Sequence, residues 1–195
     1  MQAWKTGALA LAGMCWALAA DAASVLEYTI LKEGKPIGSE TVTLNKMDGR
    51  TLVDVKTETH VQVLFLKFDY SHERREIWKD GELLSVTSRT NDDGTPHHYE
   101  LLRGEDGFGL MKNGKKEILD PSVLPLTLWT KAVVDRPVLL SVIDAEPYKV
   151  TTQKLGENHY KMDGDIQREL WFAEDGYLQK VAFKRKGFDI ELQRQ

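Results

Sequence analysis

Turn signals repeated at short intervals constrain the fold of this chain more than any other feature. A glycine follows Asp, Asn or Lys between strand-like runs in "MDGR", "KDGE", "KNGK", "EDGY" and "RKGF". Asp-Gly and Asn-Gly favour two-residue type I′ turns, because both central residues of such a turn need a positive φ. The sequence therefore predicts a series of antiparallel hairpins.

The residues that flank these turns can be paired to test that interpretation. A turn at 48–49 pairs Leu44 with Val53. Turns at 175–176 and 186–187 place one apolar row across three strands, formed by Leu170, Val181 and Leu192. Because independent turns produce matching apolar rows, the sequence favours an antiparallel meander.

One segment has a different pattern. Within 123–134, Pro125 lies near the start and Leu126, Trp129 and Val133 follow at helical spacing. Pro137 would end the element. We predict a short helix here, with Trp129 packed against the sheet. The predicted fold class is all-β, a strongly curved antiparallel meander or open barrel of about ten strands with this helix packed on it.

The N-terminal residues have the pattern of a secretory signal peptide. Lys5 precedes the apolar run "TGALALAGMCWALAA", and "ADA" at 20–22 supplies small residues for cleavage. The run is too short to span a membrane. We predict a signal peptide at 1–22, with cleavage after Ala19 as the alternative, and one domain at 23–195 that is periplasmic or secreted. Cys15, the only cysteine, leaves with the signal, so the mature domain has no disulfide.

Composition argues against several functional classes. The net charge of −4 and the absence of a basic stripe argue against nucleic-acid binding, since "KRK" at 184–186 is short. No apolar run in 23–195 is long enough for a transmembrane segment. Adjacent His97 and His98 would point to opposite faces of a strand, so they cannot easily share a metal.

Motifs for catalysis are also missing. The chain has no H-E-x-x-H, no G-x-S-x-G and no glycine-rich phosphate loop. We therefore expect no metal, no cofactor and no catalytic residues, and the sequence favours a protein that is not an enzyme. Convergence of carboxylates from distant strands is the alternative that the sequence leaves open.

The hairpin around residues 80–81 carries an unusual amount of charge. A turn there pairs Trp78 with Leu83 and His72 with Arg89, on the same face as the apolar run at 64–68. Two interpretations stay open. The strand ends are solvated, with Arg74 and Glu76 paired locally, or this face lines the mouth of a cavity whose arginines hold an anionic head group. The candidate ligand-binding residues are Tyr70, His72, Arg74, Glu76, Trp78, Arg89 and Trp129.

Three stretches carry a family resemblance. They are "YTILKEGKPIGSETVTL", "YSHERREIWKDGELLSVTSRTNDDG" and "ELWFAEDGYLQKVAFKRKGFDIEL", together with the Leu128-Trp129 pair. In order and spacing they resemble a family of exported bacterial proteins known as domain of unknown function 6134. That family is similar in layout to periplasmic proteins with a curved antiparallel sheet around a helix, including lipoprotein carriers. The resemblance implies a fold and no activity.

Two functions follow as hypotheses. The first is a periplasmic protein that binds or carries a hydrophobic or amphipathic small molecule, lipid-like, by burying its apolar surface. The alternative is an accessory or interaction protein of an envelope complex, which docks a strand edge on a protein partner and binds no small molecule. An open apolar cleft would favour the first, and a concave face filled by its own side chains the second.

Overall fold

The structure, a computed structural model, describes residues 23–63 and 66–195. The predicted signal peptide at 1–22 and part of the predicted apolar run, residues 64–65, lie outside the described residues. The strands are β1 Ser24–Lys32, β2 Lys35–Met47, β3 Arg50–Val63, β4 Leu66–Lys79, β5 Glu82–Asp92, β6 Thr95–Arg103, β7 Phe108–Lys112, β8 Lys115–Leu119, β9 Leu124–Pro125, β10 Val138–Leu140, β11 Pro147–Lys154, β12 His159–Gly164, β13 Arg168–Phe172, β14 Leu178–Arg185 and β15 Phe188–Arg194.

The all-β prediction is confirmed, but about ten strands was too few. The described residues form fifteen strands in one sheet, in the order β8-β7-β6-β5-β4-β3-β2-β1-β15-β14-β13-β12-β11-β10-β9. Neighbouring strands are antiparallel except β9 and β10, which are parallel. Because β1 pairs with β15, the two ends of the domain meet in the middle of the sheet and join two meanders.

The predicted turns set the register. At residues 48–49 both central residues have positive φ, 52° for Asp48 and 73° for Gly49. Leu44 pairs with Val53, as predicted. The predicted row across β13, β14 and β15 is also confirmed, since Val181 pairs with both Leu170 and Leu192.

The inner face of the curved sheet carries the core. Alternate residues of β1 point inward, and Leu26, Tyr28 and Ile30 are buried. The same two-residue period continues around most of the sheet and places apolar rows inside, whereas β4 turns the polar residues His72, Arg74 and Glu76 inward.

The predicted helix at 123–134 is wrong. The segment contains the extended pair Leu124–Pro125 and a single 3-10 turn, Lys131–Val133. Pro125 has no backbone N–H and disfavours the α conformation in the residue before it, so apolar spacing alone does not produce a helix here. We call residues 120–146 the plug, because the parts of this segment outside β9 and β10 lie against the inner face of the sheet.

Three contacts show how the plug lies on the sheet. Thr130 forms an isolated bridge with Tyr177. The carbonyl oxygen of Val142 accepts a hydrogen bond from the Ser88 hydroxyl of β5 at 2.7 Å. The third contact is a hydrogen bond from the Trp129 indole nitrogen to the carboxylate of Glu76 in β4. The plug therefore takes the packing role that was predicted for the helix. In the described part of the chain, no helix has the length and apolar character needed to cross a membrane.

Candidate functional site

A bulge in the charged hairpin decides which side chains face inward. Trp78 pairs with Leu83 as predicted, but the register shifts between Ile77 and Trp78. Beyond that shift His72 pairs with Thr90, so the predicted pairing of His72 with Arg89 is wrong by one residue. Because a one-residue shift moves a side chain to the other face, Arg89 is exposed on the outside of the sheet.

Glu76 is the centre of a buried polar cluster. One carboxylate oxygen accepts a hydrogen bond from Arg74 Nε at 2.7 Å. The other accepts from the indole nitrogens of Trp78 at 2.7 Å and of Trp129 at 3.0 Å. The Glu76 side chain is fully buried and Arg74 is 5% exposed. The predicted local pairing of Arg74 with Glu76 is present in the structure. The interpretation that these strand ends are solvated is wrong, because both side chains are buried.

The hydrogen bonds of His72 define its tautomer. Arg74 donates from a terminal guanidinium nitrogen to His72 Nε2 at 2.9 Å. Since a guanidinium has no acceptor, Nε2 must be the unprotonated nitrogen. Nδ1 therefore carries the proton, and it donates a hydrogen bond to Thr90 Oγ1 at 2.8 Å. Burial and the positive charges of Arg74 and Arg185 lower the pKa of His72 well below its ordinary value, so the imidazole is neutral.

A cavity of about 620 Å³ lies beside this cluster. Its walls come from both halves of the sheet and from the plug. The apolar wall residues are Ile30, Ile37, Val61, Phe68, Leu126, Leu128, Val142, Ile143, Phe183, Phe188, Ile190 and Leu192. The plug fills one part of the inner face, and the cavity is the part that it leaves open.

The floor of the cavity is polar. Glu40 and Thr57 pair across β2 and β3, and the Thr57 hydroxyl donates to Glu40 Oε2 at 2.8 Å. His72 and Arg74 complete the floor. Burial raises the pKa of the Glu40 carboxyl, while the Thr57 hydrogen bond and the charge of Arg74 oppose that shift.

The rim of the cavity is mainly basic. Its charged residues are Lys32, Asp69, Asp92, Asp93, Arg168, Lys184, Arg185 and Lys186. Arg185 contacts Asp92 at 3.0 Å, and its guanidinium lies 4.7 Å from the centre of the Tyr70 ring. The cavity therefore combines apolar walls with a polar floor and a charged mouth, and small-molecule sites commonly have such an apolar lining with a few polar groups.

The structure brings together only some of the predicted site residues. Tyr70, His72 and Arg74 line the cavity. Glu76, Trp78 and Trp129 do not line it; they form the buried cluster next to it. The outward-facing Arg89 is separate from both.

Sequence reasoning missed the C-terminal part of the cavity. Arg168, Phe183 and Arg185 line it, although none was a candidate. A signal was present for Arg168, which is two residues before Leu170 and so shares its inward face. Within residues 23–63 and 66–195, no three His, Cys, Asp or Glu side chains form a group that would hold a metal ion.

The neutral His72 gives a testable pH dependence. The unfolded chain takes up a proton on this residue below about pH 6.5, whereas the folded protein does not. His72 therefore contributes stability that is present above this pH and lost as the pH falls. We expect it to add up to about 1.4 kcal/mol per pH unit to the slope of stability against pH.

His72→Gln should remove that part of the slope. Urea unfolding of wild type and variant between about pH 7.5 and 5.5 measures it. Equal slopes in the two proteins would show that the imidazole is not held neutral.

Comparisons with known proteins agree with this fold. No curated protein matches the chain. The crystal structure of a beta-barrel-like protein of domain of unknown function DUF1849 from Brucella abortus is 10% identical, covers 89% of this chain and 95% of that chain, and has a TM-score of 0.55. At this identity the similarity shows the fold alone. The family of domains of unknown function DUF6134 matches residues 28–195, as the sequence resemblance predicted, and the chain belongs to that family.

Proposed function

We propose that this protein binds a hydrophobic or amphipathic small molecule in the cavity between the plug and the sheet, and that it carries this ligand in the periplasm. The observation that supports the proposal is the open apolar cavity itself. Its volume of about 620 Å³ falls within the roughly 300–1,000 Å³ of small-molecule sites. The periplasmic location rests on the signal-peptide pattern at 1–22.

Burial of apolar surface would supply the affinity. Wall residues such as Leu128, Val142 and Phe183 are packed against the core yet only partly buried, and they line the cavity. Each methylene of a ligand removed from water there contributes about 0.8 kcal/mol. Burial of a long alkyl chain would therefore supply much of the affinity without any specific polar contact.

The alternative, a protein that docks through a sheet edge, has less support. Edge strand β8 begins with the exposed charged residues Lys115, Lys116 and Glu117. Charged edges discourage pairing with another strand. The opposite edge, β9, has only two residues, and both are buried. Neither edge offers the long unpaired strand that β-augmentation uses.

An uncharged dye tests the proposed function without involving the charged rim. We expect N-phenyl-1-naphthylamine to bind saturably, with a rise in fluorescence, and dodecanol to displace it. The absence of saturable binding would contradict the proposal.

Leu128→Trp should block the cavity. The larger ring would occupy space in which about two methylenes of the ligand would lie, so the affinity for the dye should fall at least about tenfold. Leu102→Trp is the matched control, because Leu102 is 65% exposed and does not line the cavity. Thermal melts check that both variants remain folded. Unchanged affinity in Leu128→Trp would place the dye elsewhere.

A further inference from the structure

Arg168 differs from every other basic residue that lines the cavity. The other lysines and arginines of the lining each have a carboxylate within 4.0 Å in the described structure: Lys32 with Glu33, Arg74 with Glu76, Lys184 with Asp189, and Arg185 and Lys186 with Asp92. Arg168 has no such ion pair among the described residues.

The contacts of Arg168 leave most of its donors free for a ligand. One terminal nitrogen donates to the carbonyl oxygen of Gln167 at 3.0 Å. The guanidinium carbon lies 4.0 Å from the centre of the Phe183 ring. A guanidinium has five N–H donors in a rigid plane. Stacking on one ring holds that plane in place and leaves its edge available.

The surroundings of Arg168 are unfavourable for an isolated positive charge. Burial and the repulsion of Arg185 lower the pKa of Arg168 to about 10. Arg168 is half-buried. A partly desolvated charge without a partner costs free energy, and an anion at this position would offset that cost. The nearby Arg185 would contribute to the same anion, although Asp92 already neutralises it in part.

We propose that Arg168 binds the anionic head group, a carboxylate or a phosphate, of a ligand whose alkyl chain lies in the cavity. Both head groups present paired oxygens that accept two parallel N–H bonds from a guanidinium. This inference rests on the proposed function, since it assigns the head group of the same ligand. It moves the head-group site from the hairpin arginines that the sequence suggested to the opposite half of the sheet.

Displacement of the uncharged dye by four compounds tests the assignment. The compounds are dodecanoate, dodecyl phosphate, dodecanol and inorganic phosphate. Wild type should bind one or both anionic amphiphiles about tenfold or more tightly than dodecanol, because hydrogen bonds from a guanidinium to an anion are stronger than those to a neutral hydroxyl. Preference for one of the two anions identifies the head group as carboxylate or phosphate.

Three variants test whether Arg168 is the residue that makes anionic amphiphiles bind more tightly than dodecanol. Arg168→Gln should bring the ratio of anion affinity to dodecanol affinity close to one. Saturable binding of dodecanol by this variant would show that the cavity is intact. Arg168→Lys should keep part of the preference, because it retains the charge without the planar fork. Arg89→Gln, on the outer face, should behave like wild type.

The outcomes separate this inference from the proposed function. Equal affinity of wild type for dodecanol and the anions, or a preference that survives in Arg168→Gln, would overturn the head-group site and leave the carrier function standing. If neither the dye nor dodecanol binds, while inorganic phosphate raises the Tm of wild type and not of Arg168→Gln, the site binds a free anion. In that case both the amphiphile and the carrier function are wrong.

Discussion

Glu76→Gln is expected to lower the free energy of unfolding by about 3–5 kcal/mol. The substitution keeps the shape of the side chain and removes its charge, so the buried Arg74 guanidinium loses its counter-ion. Breaking a buried pair from one side leaves an uncompensated charge in a poorly solvated place, which is the origin of the large cost. Urea unfolding at neutral pH measures the loss.

An exposed ion pair of the same length is the control. Arg75 Nε lies 2.7 Å from Asp54 Oδ1, the same separation as between Arg74 and Glu76, but these side chains are 62% and 37% exposed. Asp54→Asn should therefore cost less than about 1 kcal/mol. Similar losses in Glu76→Gln and Asp54→Asn would show that burial of the cluster is not what stabilises it.

The double variant Arg74→Met/Glu76→Gln separates the charge from the hydrogen bonds. Removing the guanidinium as well should restore part of the stability, because no buried guanidinium is then left without the Glu76 carboxylate. The recovery should be incomplete, since Glu40 loses the favourable charge of Arg74. If the double variant is no more stable than Glu76→Gln, the stability lost in Glu76→Gln comes from the indole hydrogen bonds to Glu76 rather than from the unpaired charge.

Local sequence was sufficient to predict the hairpins and most of their register. Asp48-Gly49 fixes a type I′ turn, and a two-residue side-chain period then determines every partner up to the next irregularity. The bulge at Ile77 and Trp78 has no such signal, because inserting a residue into a strand depends on how the sheet curves. This is why Arg89 was placed on the wrong face.

The helix predicted for residues 123–134 was wrong for a different reason. Its apolar spacing matches a helix, but the extended pair Leu124–Pro125 meets the parallel strand β10 in the folded sheet. That partner comes from further along the chain and supplies the hydrogen bonds that a helix would otherwise make internally. Competition from tertiary contacts of this kind is not visible in local periodicity.

Only half of the cavity could be predicted from the sequence. Tyr70, His72 and Arg74 followed from alternation along one strand. Arg168 and Arg185 come close to them because β1 pairs with β15, a contact between the two ends of the domain. Closure of that kind depends on the curvature of the entire sheet, and no short motif encodes it. A basic run that looked like a solvated strand end, "KRK" at 184–186, lines the rim for this reason.

Trp129→Ala is expected to cost about 3 kcal/mol, near the lower end of the range for truncating a large aromatic residue. The indole is partly rather than fully buried. Its ring meets Trp78 edge to face at 5.6 Å, and its nitrogen donates to Glu76. Truncation therefore removes apolar contacts and one hydrogen bond to a buried carboxylate.

Trp129→Phe separates those two contributions and tests the division between plug and cavity. It keeps an aromatic ring and loses the N–H donor, so it should cost about 1–2 kcal/mol in urea unfolding. Because Trp129 does not line the cavity, the dye should bind this variant as tightly as wild type. A loss below about 1 kcal/mol in Trp129→Ala would mean that the plug does not anchor the sheet. Weaker dye binding by a folded Trp129→Phe would instead show that Trp129 contacts the ligand. The lower affinity could not then be explained by unfolding of the protein.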